Sequence, residues 1–303
     1  MTLSAVLCAA AFLAPRAAAV ASQPEVRTSD VELFYRVYDA AHGAPDAQTL
    51  QRDYLDAGSD GVRQFIAHRI RSADALAKTV AENPGVYEQA RACAALLPKV
   101  RGRLAAVFRK LAAIDPAARF PPVIFLIGRN NSGGTTGPSG VLIGLEVACR
   151  ADWLQADLTD RLVHLIAHEY GHVQQFPQGG EDAYPDTVLK QSLVEGEAEL
   201  IAELTSGEAS ESYLQRWTRG HERAIGEAFL AQLDSHDLKP WLYNGVGTPE
   251  HPGDLGYWVG YCIAKDYYRQ ARDKRAALRT LLELKDPHQI LRDSGWQPGE
   301  PAR

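Results

Sequence analysis

The chain has 303 residues, 46% of them hydrophobic and 23% charged, with a formal net charge of −6. That composition is ordinary for a folded chain with a sizeable core, and the length allows one large domain or two smaller ones. The negative balance argues against a nucleic-acid footprint and against a basic membrane-binding patch.

The first segment, LSAVLCAAAFLAP (3–15), is a short apolar run followed by the small-residue stretch RAAAVASQ (16–23). It has the h-region length and the A-x-A-like site of a secretory leader, with cleavage expected near Ala19 or Ala21. Residues 1–21 therefore read as a signal peptide and the mature chain as exported, periplasmic or secreted. No Lys or Arg precedes the run, and without a working leader the chain would stay cytoplasmic. The run is too short to span a bilayer, and no later stretch comes close. Cys8 leaves with the leader; Cys93, Cys149 and Cys262 remain, none in a C-x-x-C arrangement. Either one disulfide forms among these three or they are buried thiols, the reading favoured for Cys262 within GYWVGYCIA.

Residues 22–118 read as a helical N-terminal part. VELFYRVYDAA and GVRQFIAHRI repeat apolar residues every three or four positions, and GVYEQARACAALLPKVRGRLAAVFRKLAAI continues the pattern with a break expected at Pro98. The period then changes. PPVIFLIG (121–128) and GVLIGLEVA (140–148) are short β-branched-rich runs, expected to be two strands joined by a mobile glycine-rich loop, RNNSGGTTGPS. That loop lacks the spacing of a P-loop or a dinucleotide fingerprint and contains no lysine, so it reads as a flap facing substrate or as a plain hairpin connection. From Asp157 onward the pattern is helical, interrupted around PQGGEDAYP and NGVGTPEHPGD. The fold class is α+β: mainly helical, with a small β-sheet before the helix that carries the chemistry.

That helix is LTDRLVHLIAHEYGHVQQF, with Thr159 or Asp160 as the expected N-cap and Leu162, Leu165, Ile166 and Val173 as an apolar stripe. His168 and His172 are four apart, so both imidazoles leave one face a turn from each other and can reach one tetrahedral metal at ~2.0–2.1 Å. Glu169 lies between them and to the side, placed to take a proton from water without ligating. A third ligand is offered by VLKQSLVEGEAELIAEL (188–204), where Glu195 and Glu199 share a face. Glu195 precedes Gly196, which admits a neighbouring backbone, and is read as the ligand. Glu199 is read as the outer partner of a ligand histidine, and Glu197 and Glu203 as surface or supporting charges. His164 continues the histidine spacing, but it starts ~12 Å from His172 at 1.5 Å per residue and cannot converge on the same ion. It reads as a packed histidine outside the site.

The pairing of HEYGH with EGEAE resembles the gluzincin pattern of zinc peptidases. The wider chain, from 30 to 295, resembles a bacterial family of predicted zinc-dependent proteases first recorded as a domain of unknown function. FPPVIFLIGRNNSGGTTGPSGVLIGLE (120–146) and WLYNGVGTPEHPGDLGYWVGYCIAKDYY (241–268) carry the rest of the likeness. The resemblance implies a zincin-like catalytic part over 119–303, packed with the helical part as one unit. It implies His168, His172 and Glu195 as ligands of one Zn2+ per chain and Glu169 as the catalytic base. Peptide or protein is then the expected substrate. For the oxyanion, Tyr257 is the first candidate, with His251 and Tyr261 as alternatives. The run GVLIGLEV could pair with an extended substrate by strand addition. Two other classes share these residues: a zinc-holding binding protein, which has no use for Glu169, and a zinc hydrolase acting on a non-peptide bond.

Overall fold

In a computed structural model, residues 24–175 and 187–299 are described. The expected leader and the PQGGEDAYP interruption lie outside them. The chain opens with β1 (Val26–Arg27) and α1 (Ser29–Ala40), then α2 (Ala47–Leu50) and α3 (Asp60–Phe65), each running on into a wider π-helical turn. α4 (Ala73–Glu82), α5 (Pro84–Ala94) and α6 (Leu97–Ile114) complete the helical part. Asp46, Ser59 and Ser72 cap their helices by accepting backbone N–H groups, and Pro84 and Pro98 sit in first turns, where a missing N–H costs nothing. The break expected at Pro98 is thus a helix start.

The sheet follows: β2 (Val123–Leu126), β3 (Gly134–Gly137) and β4 (Gly140–Gly144), in spatial order β1-β2-β4-β3. β2 and β4 are the two expected strands, but they run parallel, with Val123 opposite Val141 and Leu126 opposite Gly144. A parallel pair cannot be a hairpin. The glycine-rich connection instead contains β3, which pairs antiparallel with β4 and turns at Pro138-Ser139. β4 is therefore internal and closed to strand addition, which corrects that expectation; β1 and β3 are the edges. The segment after Gly144 is helix α7 (Leu145–Arg150), so the second strand ends four residues early. Glu146, fully buried at its start, accepts N–H groups from Gly128 (2.9 Å) and Asn130 (3.0 Å) and fastens the loop that leaves β2. Burial pushes its carboxyl up to about 7.

The remaining helices are α8 (Leu158–Gln175), α9 (Val188–Ser206), α10 (Tyr213–Trp217), α11 (Glu222–Leu230), α12 (Leu255–Gln270), α13 (Lys274–Glu283) and α14 (Pro287–Ser294). Among the described residues no helix is long and apolar enough to cross a membrane. The buried apolar residues form two clusters. One joins α1–α6, the sheet and the Leu162, Ile166, Tyr170 and Val173 side of α8; the other joins Leu189, Leu193 and Leu200 of α9 to α10–α14. The polar faces of α8 and α9 meet at the seam between them.

Small residues set that seam. A Cβ at Gly171 of α8 would lie 2.7 Å from the Ala198 Cα of α9, and a Cβ at Gly196 would overlap the backbone of Gly260 and Tyr261 in α12. Gly196 does admit a neighbouring backbone, as the sequence suggested, and the neighbour is α12. Cys93 and Cys149 form a disulfide tying α5 to α7 across 56 residues of sequence, with Cα atoms 6.2 Å apart. Cys262 is buried and takes no part in it.

Gly196→Ala is expected to part α9 from α12 and lower the thermal midpoint by several degrees, corresponding to about 2–3 kcal/mol. Gly102→Ala in α6, where a Cβ meets nothing within 4 Å, is expected to hold or raise stability by up to about 1 kcal/mol. Thermal melts followed by circular dichroism check both. Equal midpoints for the two variants would show that the α9–α12 crossing can relax.

Candidate metal centre

α8 begins at Leu158, so its cap falls two residues ahead of Thr159, the earlier of the two expected caps. The Asp157 carboxylate accepts the N–H of Thr159 (2.8 Å) and Asp160 (2.9 Å), which makes Asp157 the capping residue. From there the helical period carries His168 and His172 to its buried face, at 6% and 2% exposure. Their rings stand edge to face, 4.7 Å between centroids, with the Nε2 atoms 3.0 Å apart. Glu195 of α9, also 2% exposed, presents Oε2 at 3.5 Å from His168 Nε2 and 3.3 Å from His172 Nε2. A tetrahedral zinc with bonds of ~2.0–2.1 Å has ligand–ligand edges of about 3.3–3.4 Å. The three atoms thus already form one face of such a tetrahedron, and two imidazoles with a carboxylate are the donors zinc takes. Among the described residues His168, His172 and Glu195 form the group able to hold a metal.

The outward-facing nitrogens are held as well. His168 Nδ1 lies 2.7 Å from Glu199 Oε1, while Glu199 Oε2 accepts the Glu211 N–H at 2.9 Å. This is the outer role expected of Glu199. His172 Nδ1 lies 2.8 Å from Gln175 Oε1, and the Gln175 amide donates to Val194 O (2.8 Å) and Glu197 Oε2 (3.0 Å). Both contacts favour a proton on Nδ1 and leave Nε2 for the metal. Glu197 is 1% exposed, which corrects its reading as a surface charge; burial lifts its carboxyl well above the usual range. Glu203 does support the surface, pairing with Lys265 at 2.8 Å. The second oxygen of Glu195 accepts a hydrogen bond from the Tyr243 hydroxyl at 2.6 Å.

These neighbours govern charge. Burial works against a charged His168 ring, but Glu199 and Glu195 outweigh it and hold the ring well above the ordinary histidine range. Burial would raise Glu195, yet His172 and His168 hold its carboxyl far below the carboxylate range.

Glu169, 5% exposed, lies against β3. The Thr136 hydroxyl donates to its Oε2 at 2.9 Å, and a Cβ at Gly134 would overlap its carboxylate. The glycine-rich segment thus contains the strand that frames Glu169, joined to β4 by the tight turn at Pro138-Ser139.

The tyrosines and outlying histidines divide. Tyr257 of α12 stacks on His168, 6.2 Å between centroids and 20° between planes. Burial, with Glu195 nearby, lifts its phenol well above the usual tyrosine range, so it stays a donor. Tyr261, one turn on, accepts from Lys265 Nζ at 2.9 Å and lines a cavity of about 300 Å3 on the Glu199 side. His251 is exposed in a turn with Thr248, and none of the site's hydrogen bonds or ring contacts among the described residues involves it. His164 lies outside the triangle as expected, buried against Ser206 Oγ at 2.5 Å. Gln175 and Tyr243 were missed. Gln175 follows His172 by three positions and carries a helical-spacing signal; Tyr243, 52 residues from the Gln191 it touches, carries none.

Residues 137–286 match a family described as Predicted Zn-dependent protease (DUF2268). No curated protein and no solved structure matches the chain. The matched stretch holds His168, His172, Glu195, Glu169, Tyr243 and Tyr257, while the helical N-terminal part and most of the 120–146 block precede it. Over residues 137–286 this chain is similar to the family of predicted Zn-dependent proteases.

Proposed function

We propose that the protein is a zinc metallopeptidase of the gluzincin type, holding one Zn2+ on His168, His172 and Glu195 and hydrolysing peptide bonds with Glu169 as general base. The observation that carries this reading is the triangle of 3.0, 3.3 and 3.5 Å between the side-chain atoms of His168, His172 and Glu195, with Glu169 next to His168 in the chain and its carboxylate held by Thr136. When bound, zinc supplies Lewis-acid polarisation of a carbonyl and acidifies water from about 15.7 toward ~7. Glu169 then takes the proton of the attacking water and delivers it to the leaving amine. Thr136 fixes the carboxylate for both transfers. Tyr257, protonated and stacked on His168, is assigned the hydrogen bond to the developing oxyanion. The free edge of β3, which carries Gly134 and Thr136, is assigned to the substrate backbone by strand addition in place of β4. Export is supported by the Cys93–Cys149 disulfide, a bond that persists in oxidising compartments, together with the apolar leader.

Protein purified without chelator is expected to hold one equivalent of zinc by elemental analysis and to cleave casein or a peptide library until chelator is added. Glu169→Gln is expected to keep the zinc and lose cleavage, because an amide fills the space but accepts no proton. A zinc-free wild type that takes up none on addition would end the metal reading. A fully active Glu169→Gln would remove the base.

The two glutamates of α9 separate in the same way. Glu195→Ala is expected to emerge nearly free of zinc, whereas Glu199→Ala should bind it about 10–100-fold more weakly and turn over in excess metal. Competition against a chelator measures both, and the reverse order would exchange their roles.

Zinc must also displace the proton that Glu199 and Glu195 favour on His168. Affinity is therefore expected to fall as pH is lowered from about 8 to 6, with proton release seen as a buffer-dependent binding enthalpy. A pH-independent affinity would show that the histidine enters the site already neutral.

A further inference from the structure

We propose that Tyr243 is a positioning residue that holds Glu195 to one-oxygen ligation, which makes the surface loop 243–254 part of the metal centre. The inference rests on the zinc reading above.

Tyr243 is 57% exposed, the more open of two exposed large hydrophobic residues among the described residues. Its hydroxyl nevertheless ends on a carboxylate that is 2% exposed, at 2.6 Å. Hydrogen bonds to a charged acceptor are about twice as strong as neutral ones. The phenol oxygen in turn accepts from Gln191 Nε2 at 2.7 Å, so its own proton is directed at Glu195. The ring stands edge-on to Tyr257, 6.4 Å between centroids.

The backbone is bent to reach this position. Tyr243 has φ +58°, in the left-handed region that aromatic residues rarely enter. The loop holds it there. Asn244 N–H donates to Asp254 Oδ1 (3.0 Å) and Asp254 N–H to Asn244 Oδ1 (2.7 Å), and Gly253 N–H closes on Val246 O (2.8 Å). A side chain that merely packed would need neither the left-handed backbone nor the exposed ring.

The consequence falls on Glu195. With Oε1 engaged by Tyr243, Oε2 is the oxygen that faces both histidine Nε2 atoms. Without the hydroxyl, Oε1 is released to swing toward the ion, and the carboxylate can ligate through both oxygens or through either. Tyr243 acts on the metal through Glu195.

Tyr243→Phe removes only the hydroxyl. Zinc affinity, by chelator competition, is expected to fall about 10–100-fold. Cobalt loaded in place of zinc should lose visible absorption intensity, since five-coordinate cobalt(II) absorbs more weakly than four-coordinate. Saturating zinc should restore much of the turnover, which it would not do for a residue acting on the reacting atoms. Gln191→Leu, which leaves the phenol in place but unsupported, should shift affinity in the same direction by less. Wild-type affinity together with an unchanged cobalt spectrum in Tyr243→Phe overturns the proposal, and wild-type affinity in Gln191→Leu overturns the part given to Gln191. A wild type that binds neither zinc nor cobalt in the same titrations would overturn the metal reading itself, and this inference with it.

Discussion

The approach of α8 to α9 at Gly171 and Ala198 is the constraint on which the rest of the site depends. With 2.7 Å between the Ala198 Cα and where a Gly171 Cβ would be, no side chain fits at position 171 without parting the helices. The crossing brings a face of α8 with two imidazoles against a face of α9 with two carboxylates, within reach of short side chains. α12 presses from the far side, where Gly196 and Gly260 admit backbone to backbone. The residues of HEYGH and EGEAE that carry no chemistry are therefore the ones that set the distances. Zinc geometry tolerates errors of a few tenths of an ångström, and helices locked by backbone contact meet that tolerance better than loops.

Charge gives the seam its second property. Glu169, Glu195, Glu197, Glu199, His168 and His172 are all at most 6% exposed, an arrangement that apolar packing alone disfavours. Burial lifts the Glu197 carboxyl toward its neutral form, and Glu169, Glu195 and Glu199 remain as acidic groups beside two imidazoles. Among the described residues no lysine or arginine pairs with Glu169, Glu195 or Glu199. Protonating a histidine offsets part of this excess, and His168 is indeed held high. A divalent cation at the triangle offsets more, and it does so where the field of these carboxylates converges. The electrostatics and the ligand geometry thus ask for the same occupant.

Much of this was legible in the chain because helices are periodic. His168 and His172, and separately Glu195 and Glu199, are related by the spacing that puts residues on one face, and each pair appears where that spacing placed it. The α+β class, the two strands and the exclusion of His164 followed from the same kind of pattern. What failed had no local period. Sheet order depends on which strands meet, so the sequence leaves GVLIGLEV open to strand addition although β3, in a segment too glycine-rich to look like a strand, covers β4. Glu197 reads as a surface or supporting charge because sequence does not show that Gln175, at the end of α8, reaches that turn of α9. Tyr243 reaches Glu195 through a left-handed residue on a loop, a geometry that neither its spacing nor its neighbours announce.

The glycine-rich segment illustrates how a misread loop can still point to function. Its composition looked mobile because glycine lowers the cost of many conformations. In the fold Gly134 is required for a different reason: it lets a strand edge lie directly on the Glu169 carboxylate, where a side chain would overlap it. Thr136, two residues along and on the same face, supplies the hydroxyl that orients that carboxylate. The edge strand and the base are thereby one rigid unit, so a substrate backbone paired to β3 would be registered against Glu169 by the same hydrogen bonds that hold the sheet. The helices fix where the metal can sit. On the proposed reading the strand edge would fix where a peptide lies relative to Glu169, and hydrolysis would require both distances at once.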